Sequence, residues 1–80
     1  MSKADKMLEE LGYKKDIDNE YEIEYLLPNN YYINFNRNFM SIEKGEYDGE
    51  RNIYLAKPLI RAELQAINEK CKELGWLDDS

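Results

Sequence analysis

The sequence predicts one α+β domain, an antiparallel meander of three or four strands between an N-terminal and a C-terminal helix, in the order α-β-β-β-(β)-α. Apolar residues recur three and four apart near both ends of the chain and alternate with polar residues between them. Turn-forming residues separate the alternating segments at short intervals, as in hairpins. Because each strand has one apolar face, we expect both helices to pack on that face. Helices on opposite faces are disfavoured, since the first strand alternates with charged residues.

The N-terminal helix is predicted over residues 3–11. Its apolar stripe consists of Ala4, Met7, Leu8 and Leu11. Ser2 is placed to cap the first turn, and Gly12 supplies the left-handed residue that ends the helix. Tyr13, just beyond, is expected to pack back on Leu8.

Residues 14–19 are predicted to be a polar connector, and the strands begin after it. The first strand, residues 20–27, directs Tyr21, Ile23, Tyr25 and Leu27 to the core. The second, residues 31–36, buries Tyr31, Ile33 and Phe35 and directs Tyr32 to the opposite face. The third, residues 39–44, is expected to bury Met40 and Ile42. Short turns at residues 28–30 and 36–38 complete the meander.

A polar loop with two glycines is predicted over residues 45–51, followed by a short fourth strand at residues 52–56. The C-terminal helix is predicted to start at Pro58, because proline suits the first helical position. Its apolar stripe is Ile60, Leu64, Ile67, Cys71 and Leu74. Gly75 ends this helix as Gly12 ends the first.

Composition narrows the classes of function. A net charge of −6 disfavours binding to nucleic acid or to an anionic membrane. The chain has no histidine, which removes the common catalytic couples and the histidine-containing zinc sites. We therefore expect neither catalysis nor a cofactor or metal. A single cysteine, Cys71, is expected in the core and fits a reducing cytoplasm. No apolar run is long enough to cross a membrane.

The most conspicuous chemical pattern is a run of acids on alternate residues, Asp16, Asp18, Glu20, Glu22 and Glu24. On one extended strand these carboxylates would project the same way. They are interpreted as an acidic surface that meets a basic site on a partner, or as a solvated face that protects an edge. A divalent-metal site is disfavoured, because the run lacks the glycine and closing glutamate of a calcium loop.

Seven tyrosines in 80 residues are a second signal. Tyr32, Tyr47 and Tyr54 fall outside the predicted apolar faces and are expected to be exposed. Exposed tyrosine is typical of interaction surfaces. Tyr32 and Tyr54 therefore join Asp18, Glu20, Glu22 and Glu24 as candidate protein-interaction residues.

Residues 2–13 read SKADKMLEELGY, and residues 63–76 read ELQAINEKCKELGW. These two segments, about a third of the chain, resemble the ends of small proteins encoded by phages and prophages of Gram-positive bacteria. The resemblance implies a helix–sheet–helix fold and a phage origin. It supplies no functional residue, because the matched residues are helix stripes and caps.

Two functions remain in view from the sequence. The first is a small phage-derived protein in the cytoplasm of the bacterial host, where it binds a host or phage protein through its acidic strand face. The alternative is a small structural or accessory subunit that self-associates, as a homodimer for example, through exposed strand edges and Tyr32 or Tyr54.

Overall fold

The computed structural model describes residues 2–77 and has the α+β architecture that the sequence predicts. Its elements are α1 (Lys3–Glu10), β1 (Lys14–Asp18), β2 (Glu22–Leu26), β3 (Tyr31–Asn36), β4 (Ser41–Asp48), β5 (Ile53–Ala56) and α2 (Arg61–Glu73). The strands form one antiparallel sheet in the order β1-β2-β3-β4-β5. Each strand therefore pairs with its neighbour in the chain, as a meander requires. The sheet has one strand more than the largest predicted number.

The additional strand is β1, where the sequence predicts a connector. β1 pairs with β2, and a bulge interrupts their register between Lys15 and Ile17. Ile17 is its one apolar residue, so apolar alternation could not reveal the strand. Ion pairs hold it instead, because the Lys15 ammonium lies 3.0 Å from Asp5 in α1 and 3.2 Å from Asp18.

The prediction of a loop over residues 45–51 is wrong for residues 45–48, which belong to β4. β4 continues to Asp48, and Gly45 pairs directly with Tyr32 on β3. Only the tip is a turn, where the backbone N–H groups of Glu50 and Arg51 donate to the Asp48 side chain at 3.1 and 3.3 Å. The fourth predicted strand is confirmed as Ile53–Ala56, the fifth strand of the sheet.

The helix caps agree with prediction except at the start of α2. The Asp5 N–H donates to Ser2 Oγ at 3.0 Å, and Gly12 takes a positive φ of 97°. Gly75, with φ of 77°, ends α2 in the same way. α2 begins at Arg61 and not at Pro58. The helix starts there because the Glu63 carboxylate caps it, accepting a hydrogen bond from the Ile60 N–H at 3.0 Å.

Both helices pack on one face of the sheet, and the core lies between them and strands β2 and β3. It consists of Leu8, Tyr13, Ile23, Tyr25, Ile33, Phe35, Ala66, Ile67 and Cys71. Tyr21 is exposed, contrary to prediction, because it lies in the bend before β2. Met40 is exposed because it lies in the turn at residues 37–40, before β4 and not in the predicted strand. Ile42 is exposed because the helices do not cover the start of β4. Ile53 in β5 is exposed for the same reason.

The buried face of α2 is rotated from the predicted stripe. Leu64 is 56% exposed and Ile60 is exposed too, whereas Glu63 and Lys70 are buried. These two charged side chains enter the interior because each finds an opposite charge there. Glu63 accepts hydrogen bonds from Lys44 Nζ at 2.6 Å and from the Tyr13 hydroxyl.

A second cluster of charged side chains is centred on Asp5 in α1. Its carboxylate accepts hydrogen bonds from the Tyr25 hydroxyl and from Lys70 Nζ at 3.1 Å, and it pairs with Lys15. Burial alone acts to raise the pKa of Asp5, but these hydrogen bonds hold it well below its usual range. The same two effects act on Glu63, whose pKa is also lowered. Within residues 2–77, no helix is long and apolar enough to span a membrane.

Candidate functional site

The face of the sheet opposite the helices is called the open face here. In antiparallel strands, directly paired residues direct their side chains to the same face. Glu24, Asn34 and Glu43 form one such row across β2, β3 and β4. The side chains that define the open face are Glu22, Glu24, Tyr32, Asn34, Glu43, Tyr47 and Tyr54.

One half of the open face is acidic. Asn34 lies at its centre and donates its side-chain amide to Glu22 at 2.8 Å and to Glu24 at 3.2 Å. Partial burial raises the pKa of Glu24, and the nearby charges of Glu22, Asp16 and Glu43 add to that rise. They outweigh the hydrogen bond from Asn34, which acts to lower it. Ionised Glu24 is thus held among like charges.

The acids of the open face lack the cationic partners that several acids on the helix side have. On the helix side Asp5, Asp18, Glu46, Glu63, Glu69 and Glu73 all have a lysine or arginine within ion-pair distance. Among residues 2–77, none of the ion pairs includes Glu22, Glu24 or Glu43. The open face therefore carries negative charge that the described part of the chain does not neutralise.

The other half of the open face is aromatic. Tyr32 and Tyr54 meet edge to face, with ring centroids 5.7 Å apart and an interplanar angle of 84°. Tyr47 extends the cluster, since its ring lies 5.0 Å from that of Tyr54. The Tyr32 hydroxyl donates to Glu43 at 3.1 Å, which links the two halves. Burial, together with this bond, raises the pKa of Tyr32 to about 12.

A shallow depression of about 290 Å³ lies where the two halves meet, lined by Glu24, Tyr32, Asn34, Glu43 and Tyr54. Carboxylates bind lysine and arginine through charge-assisted hydrogen bonds, and the face of a tyrosine ring attracts the same cations. The depression thus combines the two kinds of group that recognise a basic side chain.

The structure brings together four of the six candidate residues from the sequence. Glu22, Glu24, Tyr32 and Tyr54 share the open face. Tyr54 is exposed as predicted, but Tyr32 is only 6% exposed, because its ring lies over Gly45 and beside Tyr54.

Asp18 and Glu20 do not belong to this surface. Asp18 pairs with Ile23 in the register, which places it on the helix side. There it binds Lys15 at 3.2 Å and Arg37 at 3.3 Å. Burial acts to raise the pKa of Asp18, but these two cations hold it below its usual range. Glu20 lies in the exposed bend between β1 and β2. The acid run therefore does not lie on one strand.

Asn34 and Glu43 belong to the site and were missed as candidates. Glu43 was detectable, because it alternates with Ile42 in a predicted strand and so faces away from the core. The role of Asn34 as a bridge between two carboxylates depends on cross-strand register, which the sequence does not reveal.

Among residues 2–77, no three cysteine, aspartate or glutamate side chains are grouped so as to hold a metal ion. Cys71 is buried in the core, as predicted, and burial raises the pKa of its thiol.

Comparison with protein-family models, with curated proteins and with solved structures finds no match to this chain.

Proposed function

We propose that this protein is a non-catalytic binding module whose open face engages a basic segment of a partner protein. The observation that carries the proposal is the uneven pairing of charge. Asp5, Asp18, Glu46 and Glu63 on the helix side each have a cationic partner, while Glu22, Glu24 and Glu43 lie together with none in residues 2–77. A lysine-rich or arginine-rich segment would supply the missing charge.

The tyrosines support the same proposal. Tyr47 and Tyr54 give contact area at low cost in side-chain entropy, and their rings adjoin the carboxylates. An extended basic segment lying across β2–β5 would meet carboxylates at one end and aromatic rings at the other. This arrangement favours a protein over nucleic acid, whose phosphates the carboxylates repel.

The origin of the partner and the cellular compartment are part of the proposal. The resemblance of both chain ends to phage and prophage proteins supports a partner of host or phage origin. A bacterial cytoplasm is consistent with a single, buried cysteine.

The test compares two variants with equal change of charge. E22Q/E24Q/E43Q neutralises the open face, while E9Q/E10Q/E50Q neutralises three exposed acids of α1 and the β4–β5 turn. Glutamine keeps the oxygen that accepts from Asn34, so the first variant should fold.

Each immobilised protein is used to capture partners from bacterial lysate at about 50 mM and about 500 mM salt. We expect the parent and E9Q/E10Q/E50Q to retain the same protein at low salt, and E22Q/E24Q/E43Q to lose it. High salt should weaken the capture by the parent. Equal capture by all three proteins at both salts would contradict the proposal.

A further inference from the structure

The outer edge of β4 is unpaired at its beginning. β5 pairs with β4 from Gly45 onward, so Ser41–Lys44 has no strand on its outer side within residues 2–77. The Lys44 carbonyl points outward, since it accepts the N–H of Lys57 at 3.1 Å. Backbone direction alternates along a strand, so the N–H and C=O of Ile42 point outward as well. These two groups form a free edge for pairing.

An apolar groove lies beside this edge. It has a volume of about 300 Å³, and its apolar lining consists of Met40, Ile42, Leu64, Ile67, Trp76 and Leu77. Met40, Ile42, Leu64 and Leu77 are all among the exposed apolar residues. Together they present on the order of 400 Å² of apolar surface, within the range at which a patch marks an interaction site.

The opposite edge of the sheet is protected by comparison. β1 carries a bulge between Lys15 and Ile17, and four of its five residues are charged. Bulges and charges are the devices that prevent one sheet edge from pairing with another. At the start of β4 the side chain beside the free backbone groups is the apolar Ile42.

We propose that a second copy of this chain pairs at this edge, β4 against β4, about a two-fold axis at Ile42. The N–H and C=O of Ile42 would then bond the C=O and N–H of Ile42 in the second copy, which is the isologous contact of a symmetric dimer. This register places Glu43 opposite Ser41 of the second copy, so no carboxylates face each other directly. The two apolar grooves become continuous.

The apolar surface supports a dimer of ordinary size. A stable interface buries about 800 Å² per partner, of which the groove supplies about half and the paired strands and their rims the remainder. Directly paired residues point to the same face, so both pairs of helices lie on one side of the joined sheet. Both open faces then lie on the other side. The dimer is independent of the proposed function, but it would present the open face twice.

Sedimentation equilibrium tests this dimer between about 10 µM and about 1 mM, a range that covers the Kd of a modest interface. We expect the mass of the parent to rise from 9.6 kDa toward twice that value. I42K and L64K should both remain at 9.6 kDa, because each places a charge in the groove. L64K keeps the test valid if I42K fails to fold.

I53K is the matched control. Ile53 is 40% exposed and Ile42 is 37% exposed, and both lie on the helix side of the sheet, but Ile53 is outside the groove. I53K should dimerise as the parent does, and the Ile42 amide should be protected from hydrogen exchange only in the dimer. A parent that stays monomeric would overturn the proposal. A dimer that still forms in both I42K and L64K would overturn it too, as would a loss of dimerisation in I53K equal to that in I42K. An Ile42 amide that exchanges freely in the dimer would also overturn it.

Discussion

The hydroxyl end of Tyr32 lies directly over Gly45, its cross-strand partner on β4. A Cβ atom at position 45 would come within 2.5 Å of Tyr32 Oη and within 2.8 Å of the Leu55 carbonyl oxygen. Glycine at this position therefore lets the tyrosine ring lie flat on the sheet. The ring is buried there and forms the centre of the open face.

G45A should destabilise the fold by about 1–3 kcal/mol, because the added methyl group displaces the ring or the β5 backbone. G49A is the control, since a Cβ there would meet its nearest neighbour, in the Tyr47 ring, at an ordinary 3.5 Å. Its effect on the free energy of unfolding should stay within about 0.5 kcal/mol. Urea denaturation of both variants measures this difference, and equal effects would contradict the packing of Tyr32 described here.

Leu64 and Ile67 should respond differently to truncation, although the sequence assigned both to one buried stripe. Ile67 is 4% exposed, so I67A should cost about 2–5 kcal/mol of stability. L64A should cost less than about 0.5 kcal/mol, because Leu64 is largely exposed. The measurement is thermal unfolding in dilute protein. Similar losses of stability in the two variants would show that the face of α2 is misassigned.

Removal of the Glu63 carboxylate should be strongly destabilising. E63A leaves the Lys44 ammonium buried with no ion-pair partner and should cost about 3–5 kcal/mol. E69A provides the comparison, because Glu69 pairs with the exposed Lys3 and the partly exposed Lys72 and should contribute at most about 1 kcal/mol. Chemical denaturation at neutral pH distinguishes the two. If E63A lowered the free energy of unfolding as little as E69A does, the buried Glu63–Lys44 pair would not have the stabilising role assigned to it.

Glu24 should reduce stability at neutral pH. Its pKa is raised on folding, so its contribution to stability is most favourable at low pH and is lost as pH rises through the folded pKa. E24Q should therefore be more stable than the parent at pH 7, and the gain should vanish below the ordinary glutamate range, about pH 4. Unfolding free energies of both proteins across this range give the test. A loss of stability in E24Q at neutral pH would mean that the carboxylate is favourably paired.

The sequence predicted the fold class because apolar alternation marks β2 and β3 and because a glycine marks the end of each helix. It missed β1, which has one apolar residue and is held by ion pairs with Asp5 and within itself. Alternation assigned Ile42 and Ile53 to the correct face of the sheet. It could not reveal that the helices stop short of them, since the reach of a helix depends on three-dimensional packing.

Four of the six candidate residues lie on one surface, and the sequence allowed only part of this arrangement to be predicted. Glu22 and Glu24 alternate with buried residues, so their direction was predictable. Asp18 was misplaced, because the bend at residues 19–21 separates it from β2. The burial of Tyr32 depends on its pairing with Gly45, a register that emerged only from the folded sheet.

The proposed binding of a basic protein segment to the open face can be observed by nuclear magnetic resonance. The isotope-labelled chain is titrated with an extended peptide in which arginine alternates with serine. At about 50 mM salt, where opposite charges attract over a longer range, we expect shifts in the Asn34 side-chain amide and in the rings of Tyr32 and Tyr54. E22Q/E24Q/E43Q should show none of these shifts. Shifts centred on α1 or α2, or shifts that persist unchanged in that variant, would contradict the claim.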